Sequence, residues 1–262
     1  MYLTDVHSHI LQNIDDGSKD LDTSIALLES SYEQGVRKLV LTPHYDVKKY
    51  SVNTFLAKRR NRFLELKSEI QKRGISAPEL CLGAEVSVTT DLSVVEGIEK
   101  LVFENTRYIL IEMPYDMWQN WMFDSIFNLM TKKNLSPVIA HIERYFDSIE
   151  HSKIIGLSKM DLYFQINAAS VIDKRQFKNI LRLINNNMIY FLGSDAHDLK
   201  LRPSLIRQAV DVLEKKVSKE YAHFLTVNAN FMLKNKIIDR AEEIDVPKGN
   251  MSLWDKVFYN SL

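Results

Sequence analysis

The chain has 262 residues, in which 34 lysines and arginines balance 34 aspartates and glutamates, and that balance excludes the global positive field that draws a protein onto nucleic acid or an anionic membrane. A single cysteine, Cys81, excludes an internal disulfide framework, and no stretch approaches the roughly eighteen apolar residues of a spanning helix. The length suits one α/β domain covering 1–262. With no signal-peptide pattern at the start, the expected compartment is the cytoplasm.

An apolar run, residues 1–6, reads as a short buried strand and leads into Asp5-Val6-His7-Ser8-His9. Side chains two apart share a face of a strand, so His7 and His9 present their imidazoles side by side and can grip one cation. Taken alone, the pair reads equally well as two polar residues at a strand end. Ile14-Asp15-Asp16-Gly17-Ser18 is a turn cluster. A helix follows from about Leu21, with Ile25, Leu28 and Tyr32 at helical spacing and Gly35 as its stop. The second strand, 38–42, ends at Pro43-His44. A loop with Tyr45 and Tyr50 then enters a charged helix whose inner face is Leu56, Phe63, Leu66 and Ile70, stopped near Gly74. Further strands are expected at 80–85, 108–112, 137–141, 163–167 and 189–195. Helices then carry Ile206, Ala209, Val210 and Leu213, followed by 221–233. The tail from about 241, with its aromatic end at 254–259, has no evident place in the pattern.

Seven strands, most of them continuous apolar runs with helices between, predict a parallel sheet covered on its outer side. The expected fold is α/β, a distorted seven-stranded (β/α)7 barrel of TIM type, one strand short of eight. The C-terminal strand ends of such a barrel converge on one mouth. Here those ends carry His7 and His9, His44, Glu85, Glu112, His141, and finally Asp195 with His197. Five of the seven histidines therefore gather at one place, leaving His151 and His223 aside. Any one of them reads as a packed or surface histidine, but the set points to a metal centre.

Imidazoles and carboxylates without paired cysteines suit Mn, Fe, Zn or Mg at a catalytic site and disfavour a closed structural zinc. Eight or nine donors exceed the roughly three that one catalytic ion keeps, so more than one ion is expected, with a carboxylate such as Glu85 able to bridge. Two ions about 3.5 to 4 Å apart would let a shared hydroxide attack phosphorus while neutralising phosphoryl oxygens. Arg144, three residues after His141, reads either as a surface charge or as a fork for two phosphate oxygens. Arg202 on its loop is open to both readings. Asp15 and Asp198 read as turn or supporting acids, and Tyr45, Tyr115, Trp118 and Trp121 could wall a pocket for an aromatic ring.

The strings DVHSHI, DDG, LTPHY, GAEV, LIEMP, PVIAHIERY, QIN and GSDAH, in this order, resemble the PHP (polymerase and histidinol phosphatase) superfamily. Within it they are most similar to the bacterial manganese-dependent protein-tyrosine phosphatases of the CpsB and YwqE type, from His7 to about Asn228. The resemblance implies a distorted seven-stranded barrel and a trinuclear site, with Mn2+ as the expected metal. Carried over residue by residue, it implies a first ion on His7, His9, Glu85 and Asp195. A second would lie on Glu85, Glu112 and His141, and a third on Asp16, His44 and His197. Arg144 and Arg202 match the family's phosphate-contacting arginines. Two departures, Arg202-Pro203-Ser204 after Leu201 and Asn228-Ala229, touch none of these ligands.

The expected activity is therefore a metal-dependent phosphomonoesterase. By resemblance it is a protein-tyrosine phosphatase whose partner is a tyrosine-phosphorylated protein, namely a cognate bacterial tyrosine kinase of capsule or exopolysaccharide synthesis. The phenolate would leave toward a metal-bound water or an acid such as His44, and neither nucleic acid nor membrane insertion is expected. The rivals are a phosphatase of histidinol phosphate or a sugar phosphate, and an inactive metal-binding scaffold.

Overall fold

The computed structural model describes residues 2–160 and 162–238; the tail from 241 lies outside the described residues. Its strands are β1 (Leu3–Asp5), β2 (Val36–Leu41), β3 (His44–Tyr45), β4 (Glu79–Leu82), β5 (Glu85–Ser87), β6 (Tyr108–Glu112), β7 (Ser136–Ile139), β8 (Tyr163–Asn167) and β9 (Ile189–Gly193). Every pair is parallel. They form two sheets, ordered β1-β2-β4 and β3-β5-β6-β7-β8-β9. Seven runs were expected and nine strands are present among the described residues, because the run at 80–85 is interrupted and β3 lies in the stretch read as a loop. Pro43, which has no N–H, separates β2 from β3, and Gly83-Ala84 separates β4 from β5. Hydrogen bonds still step across the gap: Gly83 N–H donates to Leu41 O at 2.9 Å and Glu85 N–H to Pro43 O at 3.1 Å. At the other side Ser8 bridges Ala196 in parallel.

Period-two patterning sorts the strands between two apolar layers. Ile109 and Ile111 of β6 and Ile139 of β7 join the large core beneath the helices. Tyr108, Leu110, Val138, Ala140 and Phe191 point the other way, into a smaller layer with Val6, Val40 and Phe103. Both faces are thus buried, as continuous apolar runs require. Met232 and Ile238 belong to this inner layer, and Tyr108 and Tyr163 donate their hydroxyls to Lys236 O and Ile238 O, so the last described residues cover its foot.

Asp20 caps α1 (Leu21–Glu33) by accepting Thr23 N–H. Ser51 caps α2 (Val52–Arg73), and Gly74 ends it in the left-handed conformation. Leu66 of α2 is buried, while Leu56, Phe63 and Ile70 pack partly buried against the core. The intervals between the later strands, left without named helices by the sequence, hold α3 (Asn120–Lys133), α4 (His151–Ser158), α5 (Ala168–Ile172) and α6 (Lys174–Asn185). Then come α7 (Ile206–Lys216) and α8 (Lys219–Met232). Among the described residues no helix is long and apolar enough to cross a membrane.

Candidate metal centre

His7 and His9 lie just beyond β1 instead of on it, and Asp195 just beyond β9, so strand alternation is not what pairs the two histidines. The pairing comes from the loop: Asp195 N–H donates to His7 O at 2.8 Å and His9 N–H to Ala196 O at 2.9 Å. Two glycines let the backbone come this close. A Cβ on Gly193 would stand 2.6 Å from His7 Cβ, and one on Gly17 would stand 2.0 Å from His9 O. Gly17 thereby lets the Asp15-Asp16 turn fold onto His9.

All nine expected ligands converge. His7 Nε2 lies 3.1 Å from His9 Nε2, and Glu85 Oε2 is 3.2 Å from the first and 3.1 Å from the second. Asp195 Oδ1 is 3.6 and 3.5 Å from the same two nitrogens. His141 Nε2 is 2.9 Å from Glu85 Oε1 and 3.8 Å from Glu112 Oε1. His44 Nδ1 is 3.1 Å from Glu85 Oε2, its Nε2 is 3.6 Å from Asp16 Oδ1, and His197 Nε2 is 3.4 Å from the same Asp16 oxygen. Potential donor atoms gather into three groups, His7-His9-Asp195, His44-Glu85-Glu112 and His9-Asp16-His44-His197. His9 and His44 each serve two groups.

The hydrogen bonds fix which ring nitrogens carry protons. His7 Nδ1 faces Gln165 Oε1 at 3.0 Å, His9 Nδ1 faces Asp15 Oδ2 at 2.8 Å, and His197 Nδ1 faces Asp195 O at 2.8 Å. Each partner only accepts, so each ring donates from Nδ1 and turns Nε2 inward. Those Nε2 atoms face carboxylate oxygens, and with no cation between them His7 and His9 meet Glu85 and Asp195 by holding a second proton. Buried Glu85 Oε2, His141 Nδ1 and His197 Nε2 also lack hydrogen-bond partners. A cluster of imidazoles and carboxylates, buried at His7, His9, Glu85 and His141 and open at Asp16 and His44, fits divalent cations, and such donors suit Mn, Fe, Zn or Mg.

The electrostatics agree. Burial works against charge on His9, but Asp15 and Glu85 outweigh it and hold the imidazole well above its usual range. Burial likewise opposes charge on His7, and Glu85 and Asp195 overcome it. Glu85 is fully buried, yet His7, His141 and His9 keep its carboxyl well below the usual range. Burial, helped by Glu85, pushes Glu112 up. His197 is held down at about 4 by burial and by His9.

Above this cluster, Arg144 Nη2 and Arg202 Nη2 both stand 2.7 Å from Asp195 Oδ2. Of the four aromatics expected to wall a pocket, only Tyr115 stands over the cluster. Its ring lies nearly parallel to that of His141, 6.0 Å away, and its hydroxyl is 3.4 Å from Arg144 Nη1. Tyr45 and Trp118 are instead buried, Trp118 packing on Tyr145 and donating to Pro114 O, because their rings fill the core under the loops. Trp121 packs partly buried against the same core. Asp15, read as a turn or supporting acid, orients His9. Gln165 and Asn167 were visible only as part of the QIN string; nothing in their type or spacing assigned them a task.

Fold and site together define a parallel α/β protein whose imidazoles and carboxylates converge on one mouth in groups that could hold metal ions. A family model described as "Capsular polysaccharide synthesis, CpsB/CapC" matches residues 3–234. The tyrosine-protein phosphatase CpsB of Streptococcus agalactiae is 30% identical over 250 residues, spanning 90% of this chain and 100% of its own length. The tyrosine-protein phosphatase YwqE of Bacillus subtilis is 32% identical over 246 residues, spanning 91% and 94%. A solved structure from a study of YwqE of B. subtilis and CpsB of Streptococcus pneumoniae, described there as unique metal-dependent tyrosine phosphatases, superposes with a TM-score of 0.80 at 30% identity. It covers 91% of this chain and 97% of the other. The chain belongs to the CpsB/CapC family of capsular polysaccharide synthesis proteins.

Proposed function

We propose that this protein is a metal-dependent protein-tyrosine phosphatase. The observation that carries the reading is the inward-facing set of His7, His9 and His197 Nε2 atoms against Glu85, Asp195 and Asp16, with two guanidinium groups on Asp195. The broken strands are read as one distorted seven-stranded barrel, closed where Ser8 meets Ala196, with all of 1–262 as a single phosphatase domain. His7, His9, Glu85 and Asp195 would hold one ion, Glu85, Glu112 and His141 a second, and Asp16, His44 and His197 a third, with Mn2+ the expected metal. When bound, such ions supply Lewis acidity, activating water and neutralising phosphoryl charge.

The chain's own groups do the rest. Arg144 and Arg202 present planar forks to the phosphoryl oxygens and hold the charge that develops in the transition state. Tyr115 offers a ring face to the phenyl group of the substrate. At 30% exposure His44 is the most accessible of the five mouth histidines, and the leaving phenolate oxygen takes its proton from water at the mouth or from an acid such as His44 where that ring is not engaged with an ion. The substrate is a tyrosine-phosphorylated protein, specifically a bacterial tyrosine kinase of capsule or exopolysaccharide synthesis, met in the cytoplasm.

Purified protein stripped by prolonged chelation should lose turnover of phosphotyrosine peptides, and Mn2+ should restore it at least as well as Mg2+. Full activity in metal-free protein would sink the reading. A preference of tenfold, about 1.4 kcal/mol, for histidinol phosphate or a sugar phosphate would move the protein to small-molecule substrates.

A further inference from the structure

Strand β8 reaches the mouth without supplying a ligand, yet two of its side chains are fully buried there. Gln165 uses all of its amide. Its Oε1 accepts His7 Nδ1–H and the backbone N–H of His141, both at 3.0 Å, while Nε2 donates to Ile166 O and to Asn167 Oδ1. These partners fix which end of the amide is oxygen. Asn167 continues the chain of bonds: its Nδ2 donates to Asp195 Oδ2 at 2.8 Å, and its own N–H is held by buried Glu143 Oε1 at 3.1 Å.

Two of the residues reached in this way carry backbone strain. His141, with φ 33° and ψ 52°, and Asp195, with φ 54°, occupy the left-handed region, where a side chain with a Cβ is disfavoured. Such conformations persist only where the surroundings over-determine them. Gln165 holds the His141 backbone, and Asn167 holds the Asp195 carboxylate. The same Gln165 oxygen demands a proton on His7 Nδ1 and so aims the Nε2 lone pair at the cluster.

We propose that Gln165 and Asn167 are positioning residues, a β8 clamp that presents His7, His141 and Asp195 together to divalent metal. The clamp links residues from the first and second ion sets, so the metals are preorganised as a group. Its neutral amide also distinguishes His7 from His9, which is backed by the Asp15 carboxylate.

This inference rests on the reading of the mouth as a metal centre, and the test separates the two. Zn2+, a diamagnetic probe, is titrated into full-length apo-protein against a competing chelator, with the thermal midpoint of each apo-variant measured alongside. Gln165→Leu and Asn167→Ala should weaken Zn2+ binding about 10- to 100-fold. Gln165→Glu keeps an acceptor for both N–H groups but loses the two bonds donated by Nε2, and should fall between wild type and Gln165→Leu. In the zinc-loaded protein the hydrogen-bonded His7 Nδ1–H should give a slowly exchanging proton resonance that Gln165→Leu abolishes. A purely structural role would lower the apo midpoint without this split between Leu and Glu. Wild-type Zn2+ affinity in a folded Gln165→Leu or Asn167→Ala variant overturns the clamp. If Gln165→Leu does not fold, Asn167→Ala and Gln165→Glu decide alone. Absence of Zn2+ binding by the wild-type protein would overturn the metal-centre reading and the clamp with it.

Discussion

Asp195 Oδ2 accepts from Asn167 and faces both arginines, while Oδ1 faces His7 and His9, so one carboxylate joins the groups proposed to read phosphate to those proposed to hold cations. Separate substitutions should part these functions. Asp195→Asn removes a charged ligand and should lower metal content and rate together. Arg144→Ala should retain metal while losing on the order of 2 to 4 kcal/mol of transition-state stabilisation, read as kcat/KM beside elemental analysis. Metal loss in Arg144→Ala would contradict its assignment to phosphate. The histidines also set a pH dependence. His7 and His9 hold their protons above the ordinary 6.5 when no cation is present. An incoming cation must displace those protons, so metal affinity should rise with pH through neutrality and fall on acidification. His197, neutral above about 4, should contribute no such dependence near neutrality. Metal titrations at several pH values check the sign, and an affinity that grew on acidification would contradict it.

At the level of elements, the centre depends on how closely β9 and the first loop approach. A Cβ on Gly193 would press on His7 Cβ at 2.6 Å and on Gln165 Nε2 at 3.0 Å. Gly193→Ala should destabilise the fold by about 1 to 3 kcal/mol through overpacking and reduce metal content, measured by denaturant midpoint and elemental analysis. The positions of most strands, and the gathering of the polar residues that follow them, were legible because buried parallel strands write continuous apolar runs that stop at polar residues. Breaks within those runs were only partly legible: Pro43 signals one directly, whereas Gly83-Ala84 reads as easily within a strand as between two. Orientation was not legible at all. Trp118 and Tyr115 share one loop and an aromatic type, yet one fills the core and the other stands over His141, a choice made by surrounding volume. Gln165 escaped notice for a related reason, since an amide acquires its role only from what the fold sets around it.

Across the whole molecule, the mouth and the foot are chemically distinct. Cys81 pairs in register with Val40 in β4 and packs against the inner layer, and burial pushes its thiol up from the ordinary range. It is therefore a poor nucleophile. Cys81→Ser should keep most of the phosphatase turnover, and a collapse of activity in a folded variant would contradict a centre built on His7 and its neighbours. Closure of the structure has a consequence for how the protein is made. Ser194 N–H reaches back to Asp5 Oδ1 across 189 positions of chain, and the foot is covered only by residues as late as Ile238. A nascent chain that has emerged through β8 carries His7, His9 and Glu85 but lacks Asp195 and His197. The expected ligand set exists only once β9 and the loop to His197 have been made, and contacts of such sequence separation form slowly. A cation held by residues from both sides of that contact would therefore enter late, after Asp5 and Ser194 have met.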